Sequence, residues 1–285
     1  MEIIQASCGC RNYLQPRLNS RIFYSNSRNY SVNYYSRFHP RSIFSRNGFV
    51  LSAASPDSVA TEVAQVDLSL AIKKRAAEIS PNLKGTSIFL VGINSTFKSN
   101  LGKILADTLR YYYFDSDSLV EEAAGGKTAA ISYIERDEEG FLASETEVLK
   151  QLSSMVRLVV CAGNGAVKDA SNLALLRHGI TIWIDVPLDL VAREIVEDRI
   201  QLSATDMLIS GSSPEVLAQL NTLYECRRSG YATADATISI QKVASELGYN
   251  ELNAVDAEDL CMEALKEIEK LMRAKKMMEE AAKPF

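Results

Sequence analysis

The sequence predicts an α/β domain in which five parallel strands form a doubly wound sheet covered by helices on both faces. Three observations predict it. From Ser87 onward, short apolar runs alternate with amphipathic segments of helical period. The apolar runs are continuous, as in strands buried on both faces, and do not alternate with polar residues. The composition, 47% hydrophobic and 24% charged over 285 residues, suffices for one or two domains with a sizeable core. It excludes collagen, a wholly disordered chain and a disulfide-stapled miniprotein. No apolar run approaches the roughly 18 residues of a membrane-spanning helix.

In chain order, residues 1–54 read as a leader, 55–82 as a linker with a short helix, and 83–285 as the folded domain with a C-terminal helix. The leader holds seven arginines, no lysine and one acid, Glu2, which gives it +6 and leaves −11 on the rest of a chain of net charge −5. An Arg- and Ser-rich, acid-poor segment without the apolar centre of a secretory signal is the composition of a plastid or mitochondrial transit peptide. Cleavage is expected between Phe49 and Ser58. The competing reading is a basic arm for nucleic acid, which the acidic remainder disfavours. Cys8 and Cys10 leave with the leader. Cys161, Cys226 and Cys261 lack metal-ligand spacing and read as packing residues in a reducing compartment.

In the linker, Val66, Leu70 and Ile72 share a short helix interrupted by Ser80-Pro81-Asn82. Ser87-Ile88-Phe89-Leu90-Val91 is the first strand, and Leu101, Leu105, Leu109 and Tyr112 mark the helix behind it. Tyr113-Phe114 runs into an acidic turn. Helices follow over Ala129–Glu135 and Glu138–Leu152, then strands at Leu158-Val159-Val160 and Thr181-Ile182-Trp183-Ile184. Leu188–Val196 and Pro214–Cys226 are helical, and Ala236-Thr237-Ile238-Ser239 is the last strand. Cys261, Leu265, Ile268 and Met272 lie on one face of a long C-terminal helix.

The first strand ends in Gly92-Ile93-Asn94-Ser95-Thr96-Phe97-Lys98-Ser99. A phosphate loop asks for Gly, four residues, then Gly-Lys-Ser/Thr between a strand and a helix. Gly92, Lys98 and Ser99 meet that spacing, but Phe97 stands where the second glycine belongs. A left-handed Phe97 would cost roughly 1–2 kcal/mol, and its ring must lie in or across the phosphate site. Further along stand Asp115 and Asp117 after the second strand, Gly163-Asn164-Gly165 after the third, and Arg227, Tyr231 and Asp235 before the last.

In this order the pieces resemble the shikimate kinase family, from about Leu83 to Met272. Phe141, Glu145, Glu147, Leu149, the run Leu175-Leu176-Arg177-His178-Gly179 and Trp183-Ile184-Asp185-Val186-Pro187 are similar to it as well. The resemblance implies the P-loop, nucleoside-monophosphate-kinase-like fold. It implies that Asp115, with Ser99, matches the magnesium positions and that Asp117 matches the residue gripping substrate hydroxyls; both acids also suit helix capping. Gly163, Gly165 and Arg227 match substrate-pocket positions, although Arg228 could claim the same alignment. Ser95 and Phe97 replace two loop glycines, Leu142 replaces a carboxylate-clamping arginine, and Asn164 replaces the central glycine of the pocket. Asp198-Arg199-Ile200-Gln201-Leu202 is the nearest match to the family's lid.

The losses fall in both substrate sites. Hydrogen bonds to charged groups contribute roughly 1.5–3 kcal/mol, and about 1.4 kcal/mol is tenfold in affinity. Phosphoryl transfer depends almost wholly on positioning and electrostatics. The chain is therefore expected to be a catalytically inactive member of a divergent plant branch of that family, imported into the chloroplast stroma, with a non-catalytic part in chloroplast biogenesis. It should require no cofactor, with ATP and Mg engaged only if residual nucleotide binding persists. It should act as a monomer on an unidentified plastid protein, with no nucleic acid and no membrane span. The alternative is an active small-molecule kinase on a substrate other than shikimate.

Overall fold

The computed structural model describes residues 56–197, 200, 203–204, 206 and 209–282, with side chains described from Asp67 onward. The transit-peptide expectation and the lid candidate Arg199 lie outside the described residues, as does the side chain of Val66. In chain order the elements are α1 (Pro56–Leu83), β1 (Ile88–Val91), α2 (Thr96–Leu109), β2 (Tyr112–Asp115), α3 (Ser116–Ala124), α4 (Lys127–Arg136), α5 (Glu138–Ser153), β3 (Leu158–Cys161), α6 (Ala170–Leu176), β4 (Ile180–Asp185), α7 (Leu188–Val196), α8 (Ser213–Tyr231), β5 (Ala236–Ser239), α9 (Ile240–Leu247) and α10 (Ala257–Ala281).

The sheet is parallel throughout, in the order β2-β3-β1-β4-β5. Ile88 of β1 pairs with Val159 on one side and Ile180 on the other. Every residue of β1 and β3 is buried, which is why both read as unbroken apolar runs. The chain leaves β1 toward one side of the sheet and later fills the other, so the strand order reverses there. The loop after β1 and the turn after β3 meet in the crevice where α/β sheets bind ligands.

On one side of the sheet, α1, α2 and α10 pack against one another. Leu70 lies on α1 with Ile72, as expected; Ile72, Ala76, Ile79 and Leu83 form a single buried stripe along the helix, whereas Leu70 is 66% exposed. The interruption expected at Pro81 does not occur; α1 runs through it to Leu83. An interior proline costs about 3 kcal/mol. Ile79 and Leu83, flanking it and fully buried, each contribute roughly 1.5–3 kcal/mol by burial, which offsets that cost.

Tyr112 also differs. Helix α2 ends at Leu109, capped by Arg110 in the left-handed region at φ 57°, and Tyr112 begins β2 with 64% exposure. Helix α8 extends past Cys226 to Tyr231, and at its start Glu215 accepts from both the Ser212 amide and hydroxyl. Cys161 and Cys261 are packing residues, but Cys226 is exposed. Among the described residues, no helix is long and apolar enough to cross a membrane.

Candidate functional site

The loop after β1 is held by its own side chains. Gly92 has φ +128°, and a Cβ there would lie 2.3 Å from the Ile184 carbonyl, so this turn admits only glycine. Lys98, in the first turn of α2, is 2% exposed. Its Nζ donates to the Gly92 carbonyl at 2.9 Å, to Asn94 Oδ1 at 2.6 Å and to the Ala162 carbonyl at 2.8 Å. An ammonium has three protons and no other donor, so all three have acceptors within the protein.

The amides of Thr96, Lys98 and Ser99, in the first turn of α2, are engaged as well. Ser95 caps the helix, its Oγ accepting from Lys98 N at 3.3 Å, while its carbonyl accepts from Ser99 N at 3.2 Å. Thr96 N donates to Glu194 Oε2 at 2.9 Å, and the Thr96 hydroxyl donates to Glu194 Oε1. Phe97 takes neither position expected of it. It is an ordinary helical residue with negative φ, and its ring packs against the hydrophobic core. The left-handed strain is therefore absent.

The end of the crevice around Asp117 and Asn164 is held by a polar network. Asn94 Nδ2 donates to Asp117 Oδ2 at 3.0 Å and to Asp206 Oδ2 at 2.7 Å. Asn164 Nδ2 donates to Asp206 Oδ1 at 2.9 Å, and Asn164 Oδ1 accepts from the Tyr231 hydroxyl at 3.2 Å. A Cβ on Gly163 would lie 1.7 Å from Asp117 Oδ1, and one on Gly165 2.4 Å from Glu145 Oε2; these two glycines let the carboxylates approach the backbone. The cavity left between Ser116, Asp117, Glu145, Gly163 and Asn172 measures about 10 Å³, the room of one water.

The packing of like charges shapes the electrostatics. Burial, reinforced by the charges of Asp206 and Asp115, pushes the Asp117 carboxyl up to about 7 despite Lys98 and the Asn94 hydrogen bond. Burial, then the charge of Asp117, pushes Glu145 up to about 8, with Lys168 opposing. Burial likewise raises the Tyr231 hydroxyl.

Asp115, matched in the sequence to a magnesium position, caps α3: its Oδ1 accepts from Ser118 N at 3.0 Å. Ser99 is partly exposed in the first turn of α2. Arg227 stands near Glu145 and Tyr231, its Nε buried without a hydrogen bond, while Arg228 is exposed and faces Glu225 at 3.9 Å. Leu142 is half-buried on α5 and does not line the cavity. The crevice thus gathers Gly92, Ser95, Lys98, Asp117, Asn164 and Gly163, whereas Asp115 and Ser99 serve helix ends. The phosphates of ATP do not fit this arrangement, because they would have to displace Glu194 and break the Lys98 bonds, and among the described residues no group of three or more His, Cys, Asp or Glu could hold a metal ion.

Four of these residues were not singled out from sequence: Asn94, Thr96, Glu194 and Asp206. Glu194 alone left a signal. It follows Leu190 and Val191 at helical spacing, so it is a carboxylate on the buried stripe of α7, and it is 7% exposed. Asn94 and Asp206 lie in loops 112 positions apart, where no periodicity reports on partners.

Comparison with known proteins finds one family. The shikimate kinase family model matches residues 94–268. The chain is 58% identical over 214 residues to "Probable inactive shikimate kinase like 1, chloroplastic" of Arabidopsis thaliana, covering 75% of this chain and 73% of that one. It is 39% identical over 207 residues to "Shikimate kinase 2, chloroplastic" of Oryza sativa subsp. japonica, covering 72% and 67%. Among solved structures, the shikimate kinase from Acinetobacter baumannii in complex with shikimate superposes with a TM-score of 0.55 at 27% identity, over 68% of this chain and 97% of that one.

Proposed function

Because the chain belongs to the shikimate kinase family, we propose that it is a member without phosphoryl transfer, imported into the chloroplast stroma, where it supports chloroplast biogenesis by binding a protein partner. The fold alone does not decide this, since one fold hosts many activities. One observation carries the reading: all three protons of the Lys98 ammonium are bonded to Gly92, Asn94 and Ala162. Phosphoryl transfer needs that charge directed at a phosphate.

The replacement of the pocket's central glycine by Asn164 supports the same conclusion, because its amide joins Asp206 and Tyr231 across the substrate end. The relatives' names support the compartment, as does the arginine-rich leader. A kinase acting on another small metabolite would rely on Lys98, Ser99, Asp115 and Asp117, and so on the same ammonium that braces the loop.

A coupled ADP-release assay, run with and without shikimate beside an active shikimate kinase, tests the proposal. The chain should show no shikimate-dependent release. Release at even a hundredth of the control rate would overturn it.

A further inference from the structure

We infer that Glu194 is a built-in anion: its carboxylate occupies the phosphate end of the loop and sets the chain's selectivity against nucleotides. This rests on the reading of lost phosphoryl transfer and identifies the group that keeps nucleotide out.

A helix N-terminus with unpaired amides attracts anions, and a strand–loop–helix turn of this type directs its amides at phosphate. Here an anion from the same chain is already in place. Both carboxylate oxygens of Glu194 bond Thr96, one accepting from the amide at 2.9 Å and the other from the hydroxyl. The residue is 7% exposed, so its charge is sheltered from solvent at the mouth of the loop. Charge-assisted bonds of this kind are stronger than neutral ones.

Position explains why the contact persists. Glu194 projects from α7 on the side of Leu190 and Val191, which are buried in the core, so the helix cannot turn the carboxylate away without exposing them. Lys98 supplies no counter-pull, because its protons are on Gly92, Asn94 and Ala162. A polyphosphate must displace the carboxylate and then lie beside it as a like charge. Apparent affinity falls by the fraction of molecules whose loop is open, so occupancy in all but one molecule in a hundred weakens binding about a hundredfold.

Calorimetric titration of ATP–Mg into the native chain and into Glu194→Gln, Glu194→Ala and Asp189→Asn tests the inference. Asp189 lies exposed on the same helix and controls for net charge. Emission of Trp183, the only tryptophan, gives a second readout, because its ring packs against Gly92. Glu194→Ala should bind ATP–Mg at least about tenfold more tightly than the native chain, Glu194→Gln should fall between them, and Asp189→Asn should match the native chain. Glu194→Gln keeps the side-chain volume and remains informative if the alanine variant misfolds, which circular dichroism would reveal. Equal affinity in all four proteins, no binding by either Glu194 variant, or a micromolar dissociation constant for the native chain would overturn the inference. None of these results requires shikimate turnover, so the proposed loss of activity stands or falls separately.

Discussion

Lys98→Met is expected to destabilise the protein by about 3–5 kcal/mol, the cost of breaking a buried charged network from one side. In an active phosphate loop the same change would chiefly remove catalysis. Here Lys98 is 2% exposed and joins three acceptors from two segments, the Gly92 carbonyl and Asn94 of the loop after β1 and the Ala162 carbonyl after β3. Methionine fills a similar volume but leaves those oxygens without donors, each at about 1–3 kcal/mol, offset in part by relief of the buried ammonium's desolvation. At about 2–4 °C per kcal/mol for a domain of this size, the melting temperature should fall by roughly 10 °C. ADP release, expected to be absent in the native chain, should not change. A melting temperature within a degree or two of the native value would mean that Lys98 is not bracing the loop in solution.

The acids at the other end of the crevice should make the protein less stable as pH rises. Folding holds Glu145 at about 8 and Asp117 at about 7, chiefly by burial, whereas their ordinary values are 4.5 and 3.8. Between those limits the unfolded chain has lost protons that the folded chain keeps. The contribution of these groups is therefore complete below about pH 4 and is lost as pH rises through about 8. Coupling between the two acids spreads the loss, which should reach about 2 kcal/mol or more at pH 9. Glu145→Gln removes the larger part of the dependence, so the variant should melt higher than the native chain at about pH 9 by roughly 4–8 °C. Thermal melts of both proteins at pH 5 and 9 check this. A native chain that gains stability over that range, or a variant that stays less stable at the alkaline end, would show the carboxyls to be ionised and paired.

The sheet was legible because burial on both faces leaves an unbroken apolar run, as in Ile88–Val91 and Leu158–Cys161. Helix α2 was legible through Leu101, Leu105 and Leu109, but not its end, because Arg110 takes a left-handed conformation that sequence favours only for glycine or asparagine. Pro81 misled for the opposite reason: local propensity argued for a break, and burial of Ile79 and Leu83 against the body of the domain overrode it.

At the site, the replacements at Ser95, Phe97 and Asn164 were visible as departures from a motif, but what each does was not. Phe97 was expected to obstruct the loop and instead packs on the core. The side chains that fill the crevice are polar groups paired over long separations, such as Thr96 with Glu194 and Asn94 with Asp206. Such pairs depend on how distant loops converge, and a single sequence carries no periodic trace of that.

Titration of shikimate into the native chain, followed by heat and by Trp183 emission, tests most directly whether the site is filled by its own residues. Trp183 stacks on Tyr231 at 5.9 Å, and the Tyr231 hydroxyl bonds Asn164, so entry of a ligand would disturb the ring pair. With Asn94, Asn164 and Asp206 bonded across the crevice and the adjoining cavity beside Asp117 and Glu145 measuring about 10 Å³, no heat and no change in emission are expected up to millimolar shikimate. A micromolar dissociation constant, with a matching change in Trp183 emission, would contradict the account.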